Sequence, residues 1–351
     1  MLRRGLPRFG DLLFVAVFVG CLAIGQRMLN TDGDLGRHLT LGNYILDTQS
    51  VPVRDVLSFT RSGHPRPPYE WLAQVVFAVS DRLLKLEGVV LATALAIACS
   101  FLVVFLDGVD RTNRPVLCLF LAGWAAAASS LHWLTRPHVF TFLFLALWLA
   151  GLERLRSGRR MPLWLFPALM LVWVNIHGGF IFGFLAWGAY MAGWLLAAKR
   201  HSPGAGDGGH LLRVGASAAV ASVITPDLWH SWQAVLQNRS AYVLSRTAET
   251  MMPSFSQPST WPFLGLLAIC VVGLALNLRR VTAAHVILLS GFASLAFAAG
   301  RNIPLFAIAA APIAARWTAD AVGSRPGWQK FEAAMWKMDR GLTGFVWPAV
   351  T

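Results

Sequence analysis

Apolar runs of about 16–20 nearly uncharged residues recur along the whole chain, and no other feature restricts its fold as strongly. They lie near 11–28, 88–107, 115–133, 138–154, 162–176, 179–198, 211–226, 261–277, 282–299 and 303–317. Runs of this length exclude an ordinary soluble domain. A backbone in lipid must bond internally, and barrel strands show a weak alternation that is absent here. The sequence therefore predicts an all-α polytopic transmembrane helical bundle of about ten spans, in one module over 1–320.

The net charge of +13 raises the question of nucleic acid. The basic residues instead sit in short loops between apolar runs, as in Arg154–Arg160, Lys199-Arg200 and Arg279-Arg280. That is the pattern of inner-leaflet loops, so no nucleic-acid partner is expected and the lipid bilayer is. Cys21, Cys99, Cys118 and Cys270 all fall inside apolar runs without metal spacing and read as small core residues. The first run follows Arg3, Arg4 and Arg8 and lacks a convincing small-x-small cleavage site, so it reads as a retained anchor with its N-terminus in the cytoplasm.

Outside the spans, a first extracytoplasmic loop is expected over 30–69 and a second over 227–259. Leu35, Leu39, Leu41, Tyr44 and Ile45 suit one side of a short interfacial helix in the first loop, which then stiffens through several prolines. Loop parity requires one segment before the 154–160 loop to be an incomplete span. Segment 70–86 is the shortest and most charged, with 115–133 as the alternative. The end, 321–351, reads as a cytoplasmic amphipathic segment followed by a truncated apolar stretch.

The costly polar residues gather on the predicted outer side. Asp32, Asp34, Arg37 and His38 follow the first span. Glu70 opens the next segment, Arg136 and His138 flank a span end, Asn175 and His177 sit in an outer turn, Glu249 lies in the second outer loop, and Arg301 opens the last span. Such groups at one interface suggest a shared aqueous cavity. Arginine forks at headgroup level suit a phosphate, and a nearby carboxylate can take a proton from a hydroxyl. Each also has a plainer reading. Asp32 and Asp34 suit the N-cap of the interfacial helix, Glu70 the next cap, Arg37 a snorkelling anchor, and Asn175 and His177 a broken helix turn.

Five segments carry a resemblance. Asp32-Gly33-Asp34, Pro67-Pro68-Tyr69-Glu70-Trp71-Leu72, Arg136-Pro137-His138, Asn175-Ile176-His177-Gly178-Gly179 and Arg301-Asn302-Ile303-Pro304-Leu305-Phe306 together resemble the bacterial GT-C superfamily of integral membrane glycosyltransferases. Relatives there include protein O-mannosyltransferases and aminoarabinose transferases. The resemblance covers 10–317 as an ordered set of short motifs. It implies a polyprenyl-phosphate-linked sugar as donor, a hydroxyl acceptor on a glycan, lipid or protein, and an active face outside the bacterial inner membrane. It also implies a catalytic carboxylate in the first loop. Asp34 is assigned as base and Asp32 as second carboxylate, with Arg136 and Arg301 facing the phosphate.

No cofactor is required by this chemistry; a divalent cation, Mg²⁺ or Mn²⁺, would use Asp32, Asp34 or Glu249. Two other functions fit the same composition. A transporter predicts charges spread through the bilayer depth, and a non-catalytic subunit of a membrane assembly predicts a protein partner and no chemistry.

Overall fold

The computed structural model describes residues 6–31, 33–66, 68–199, 208–237, 248–322 and 325–344. Among these the regular elements are helical, and the β-contact recorded is an isolated antiparallel bridge between Arg54 and Pro65. In chain order they are α1 (Phe9–Ala23), α2 (Gly25–Asn30), α3 (Leu35–Thr48), α4 (Trp71–Thr112), α5 (Pro115–Ser129), α6 (His138–Arg156), α7 (Leu165–Ile176), α8 (Ile181–Lys199), α9 (Gly208–Ala221), α10 (His230–Gln237), α11 (Trp261–Leu276), α12 (Ala283–Ala298), α13 (Ile303–Val322) and α14 (Pro326–Arg340).

The all-helical architecture expected from the apolar runs is present among the described residues. Among the described residues, five helical stretches are long and apolar enough to cross a bilayer: Trp71–Thr112, Pro115–His132, His138–Arg156, Gly178–Lys199 and Pro258–Leu276. Helices α1, α7 and α12 are apolar but shorter. The 12 residues of α7 rise only about 18 Å, against a hydrocarbon core about 30 Å thick. An apolar run in sequence counts turn residues that the helix itself leaves out.

The core is organised on α13. Nearly every side chain from Ile303 to Ala315 is buried, around the whole circumference of the helix. A helix apolar on all sides belongs in the middle of a bundle. Its alanines let α4, α5, α11 and α12 pack around it.

Segment 70–86 and the run beginning at 88 are the two arms of α4, separated by a break at Leu84 (φ −135°, ψ 20°) and Lys85 (φ 55°, ψ −152°). The Lys85 conformation is one that glycine adopts readily and a side chain disfavours. Helix α3 packs along the first arm through its buried face, Leu35, His38, Leu41, Gly42 and Ile45. Gly42 permits the approach, since a Cβ there would lie 2.1 Å from the Gln74 carbonyl oxygen and 2.7 Å from the Ala78 methyl. Arg82 pins the pair, donating from Nε to Asn43 Oδ1 (2.7 Å) and from Nη2 to Asp47 Oδ1 (2.5 Å).

At the far end of the chain, α14 docks on the bundle through two acids. Glu332 accepts from the backbone N–H groups of Val116 (3.3 Å) and Leu117 (3.0 Å) at the start of α5. Asp339 accepts from the Phe9 N–H (2.7 Å) at the start of α1. Free N–H groups and the positive dipole end of a helix both favour a carboxylate there.

Gly42→Ala should push α3 off α4 and lower stability by about 1–3 kcal/mol, the usual cost of overpacking. Lys85→Gly should raise it by about 1 kcal/mol by relieving the backbone. Thermal unfolding in detergent measures both.

Candidate functional site

Asp34 and Glu70 occupy the N-cap positions of α3 and α4, yet neither side chain makes a capping hydrogen bond. Both turn towards other charges. Asp34 accepts from Arg136 Nη2 and lies 3.5 Å from Arg37 Nε. Arg136 also donates through Nη1 to Glu249 Oε2 (2.7 Å), so one guanidinium bridges carboxylates of the first and second loops. The turn bearing Arg136 is tied to α2, because Thr135 donates from its backbone N (3.4 Å) and its Oγ1 (3.3 Å) to the Met28 carbonyl.

Arg37 continues the chain of charge, its Nη2 lying 3.6 Å from Glu70 Oε2. Glu70 Oε1 in turn lies 4.0 Å from His177 Nε2. The tautomer of His177 follows from its other nitrogen. Nδ1 accepts from the Gly179 N–H (3.0 Å) and faces Thr141 Oγ1 (2.9 Å), which itself accepts from Trp173 Nε1 (3.0 Å). In the neutral ring the proton is therefore on Nε2, facing Glu70. Gly179 is required for this, as a Cβ would lie 2.4 Å from Thr141 Oγ1.

The environments separate the two carboxyls. Burial acts to raise Asp34, but the Arg136 hydrogen bond and the charges of Arg37 and Arg136 outweigh it and hold its pKa below the ordinary value. Glu70 is more enclosed, and burial raises its pKa despite Arg37. His38 falls to about 3, through burial and then the Arg37 charge. His177 falls to about 3 through burial and then the neighbouring His138 and Arg301.

The remaining expected residues divide. His38 is buried against Phe77, and its Nδ1 has no hydrogen-bond partner among the described residues. His138 donates from Nε2 to the His132 carbonyl (3.0 Å) and packs 4.3 Å from the His132 ring and 6.5 Å from that of His177. Arg301 is exposed and makes no ion pair among the described residues, yet its charge acts on His177. Asn175 is a brace: Oδ1 accepts from Trp71 Nε1 (2.7 Å), and Nδ2 donates to the carbonyls of Leu171 (2.8 Å) and Ile224 (2.9 Å). Asp32 lies outside the described residues.

Among the described residues no three potential ligands are grouped to hold a metal. Of the carboxylates expected to do so, Asp34 and Glu249 are bridged by the Arg136 guanidinium, and Asp32 lies outside the described residues.

Sequence reasoning missed His132, Thr141 and a second charged cluster among α4, α6, α8 and α12. There Glu153 accepts from Arg156 Nε (2.9 Å) and Tyr190 Oη (3.0 Å), and lies 3.0 Å from His285 Nε2 and 3.6 Å from Arg111 Nη1. Arg111 is paired with Asp107. The available signal was opposite charges at helical spacing, Asp107 with Arg111 and Glu153 with Arg156, next to apolar runs. Charge is therefore not confined to the loops of the first site.

No family model matches the chain, and no curated protein matches it. The functional reading rests on the site itself.

Asp34→Asn and Arg136→Gln should each destabilise the protein and be non-additive, with a coupling of about 0.5–1 kcal/mol, since the pair is partly exposed to water. Chemical unfolding of the double-mutant cycle measures it. The pH signs are opposite. Asp34 contributes stability above the ordinary carboxylate range that is lost as pH falls through its lowered folded pKa. Glu70 contributes stability as pH falls from neutral through its raised folded pKa, and Glu70→Gln should remove that gain.

Proposed function

We propose that the chain is an inverting glycosyltransferase of GT-C type, moving a sugar from a polyprenyl phosphate to a hydroxyl at the outer interface of a bacterial inner membrane. The observation that carries this reading is the contact of Asp34 with Arg136, which joins the first loop to the turn before α6, with the Arg301 charge also acting on the site. A carboxylate beside guanidinium groups is the equipment for deprotonating an acceptor while a phosphate leaves.

In this mechanism the donor phosphate draws Arg136 towards itself. Asp34 loses the partner that depresses its pKa and becomes the stronger base. It takes the proton of the acceptor hydroxyl as that oxygen attacks the anomeric carbon. The carbon–oxygen bond to phosphate breaks, its electron pair stays on the phosphate, and Arg136 and Arg301 hold the charge. A single displacement inverts the anomeric centre. Glu70, held by Arg37 and His177, positions Arg37 beside Asp34.

One observation favours a second reading. The buried Asp107–Arg111–Glu153–His285 cluster resembles the intramembrane charge of transporters, which place ionisable groups along a passage. Sugar transfer separates the two.

With tritiated polyprenyl-phosphate sugars extracted from bacterial membranes and the protein in nanodiscs, Asp34→Asn should lower kcat by at least about 100-fold. Arg301→Gln should raise the donor KM about tenfold. Transfer at the wild-type rate by Asp34→Asn sinks the mechanism. Donor flux across the membrane without transfer points to the transporter, and neither activity to a non-catalytic subunit.

A further inference from the structure

The first loop builds a small pocket beside the transfer site, sharing Arg37 and Glu70 with it. It is walled by Arg37, Arg54, Arg66 and Glu70, with Leu41 and Tyr69 among its apolar lining. Its free volume is about 50 Å³, whereas a single water needs about 10–15 Å³ measured in this way. That is room for a group the size of a phosphate, and too little for a sugar ring with its phosphate or for a lipid chain. Three arginines and one carboxylate are on its wall, with Arg37 Nη2 lying 3.6 Å from Glu70 Oε2.

The wall is built rather than incidental. Arg54 and Arg66 lie on paired strands of chain, with Arg66 N–H donating to the Val53 carbonyl and Asp55 N–H to the His64 carbonyl, both at 2.8 Å. Asp55 closes the turn, accepting from the N–H groups of Leu57 (2.9 Å) and Ser58 (2.8 Å) and from Ser58 Oγ (2.7 Å). Those bonds occupy the Asp55 carboxylate, and its contact with Arg66 is long, at 3.6 Å. Arg54 gives Nη1 to the Gly63 carbonyl (2.9 Å). The contacts recorded among the described residues take Nη1 of each fork, and both residues line the pocket.

We propose that this pocket is a phosphate-binding site, separate from the Arg136–Arg301 pair and held by Arg37, Arg54 and Arg66. Guanidinium forks bind phosphate oxygens with paired hydrogen bonds, and several on one small cavity select a compact, multiply charged anion over a carboxylate. The same chemistry is offered by free phosphate and by the monoester headgroup of a lipid. The loop favours delivery from the bilayer, since Val56, which lines the pocket, and Leu57 and Phe59 after it in sequence are exposed apolar side chains. The site requires no transfer reaction, so it stands or falls apart from the function proposed above.

The test is calorimetric titration of the purified full chain in neutral detergent, with inorganic phosphate in one arm and short-chain phosphatidic acid in the other. Saturable binding is expected in at least one arm, weakened at least tenfold by Arg54→Gln/Arg66→Gln. Tighter binding of phosphatidic acid than of phosphate identifies a lipid headgroup as the source, and equal binding identifies the free anion. Arg54→Lys/Arg66→Lys keeps the charge and loses the fork. It should weaken binding about threefold or more, and it replaces the glutamine variant if that fails to fold. Absence of saturable binding in both arms, or wild-type affinity in the folded double variants, overturns the proposal.

Discussion

A charge placed among apolar helices must bring its partner with it, and this requirement organises the molecule. An unpaired ion in low dielectric costs more than a fold of marginal stability can absorb. The bundle meets the requirement twice. At one site Arg136 holds Asp34 and Glu249 while Arg37 links Asp34 to Glu70. At the other, Glu153 gathers Arg111, Arg156, Tyr190 and His285 from four helices. Each cluster ties together segments far apart in sequence.

The first cluster depends on close backbone packing. Gly42 lets α3 settle against the first arm of α4, and the break at Leu84–Lys85 separates that arm from the long apolar second arm. The result sets Asp34 and Glu70, both at helix starts, on facing elements with Arg37 between them. Gly179 does similar work at the other edge, letting Thr141 reach His177 and so fixing which ring nitrogen faces Glu70. Rigid placement of this kind is what a reaction needs from its surroundings. It also separates the two carboxyls electrostatically: Asp34 is depressed by its arginines and Glu70 is raised by enclosure.

Much of the candidate site was legible because ionisable residues are costly next to apolar runs, and their positions stand out. Asp34, Arg37, Glu70, Arg136, His177 and Glu249 come together by this reasoning. Asn175 does not follow the pattern, since its amide is consumed in bracing α4, α7 and the turn at Ile224. His132 and Thr141 were illegible because each looks like an ordinary polar residue at a helix end or within a span. The bridging of Asp34 and Glu249 by Arg136 is a contact that spacing cannot show.

The sequence by itself determined that the protein is a helical membrane bundle. Hydrophobic runs of this length have no other stable disposition, because a lipid-facing backbone must satisfy its own hydrogen bonds. It also marked which ionisable residues lie next to apolar runs, where they are costly. Tertiary structure alone decided how many helices are long enough to cross, that segment 70–86 is one arm of a broken helix, and which acid meets which arginine. Helix ends and ion pairs are set by three-dimensional packing, and two charges a hundred residues apart in sequence carry no mark of one another until the chain is folded.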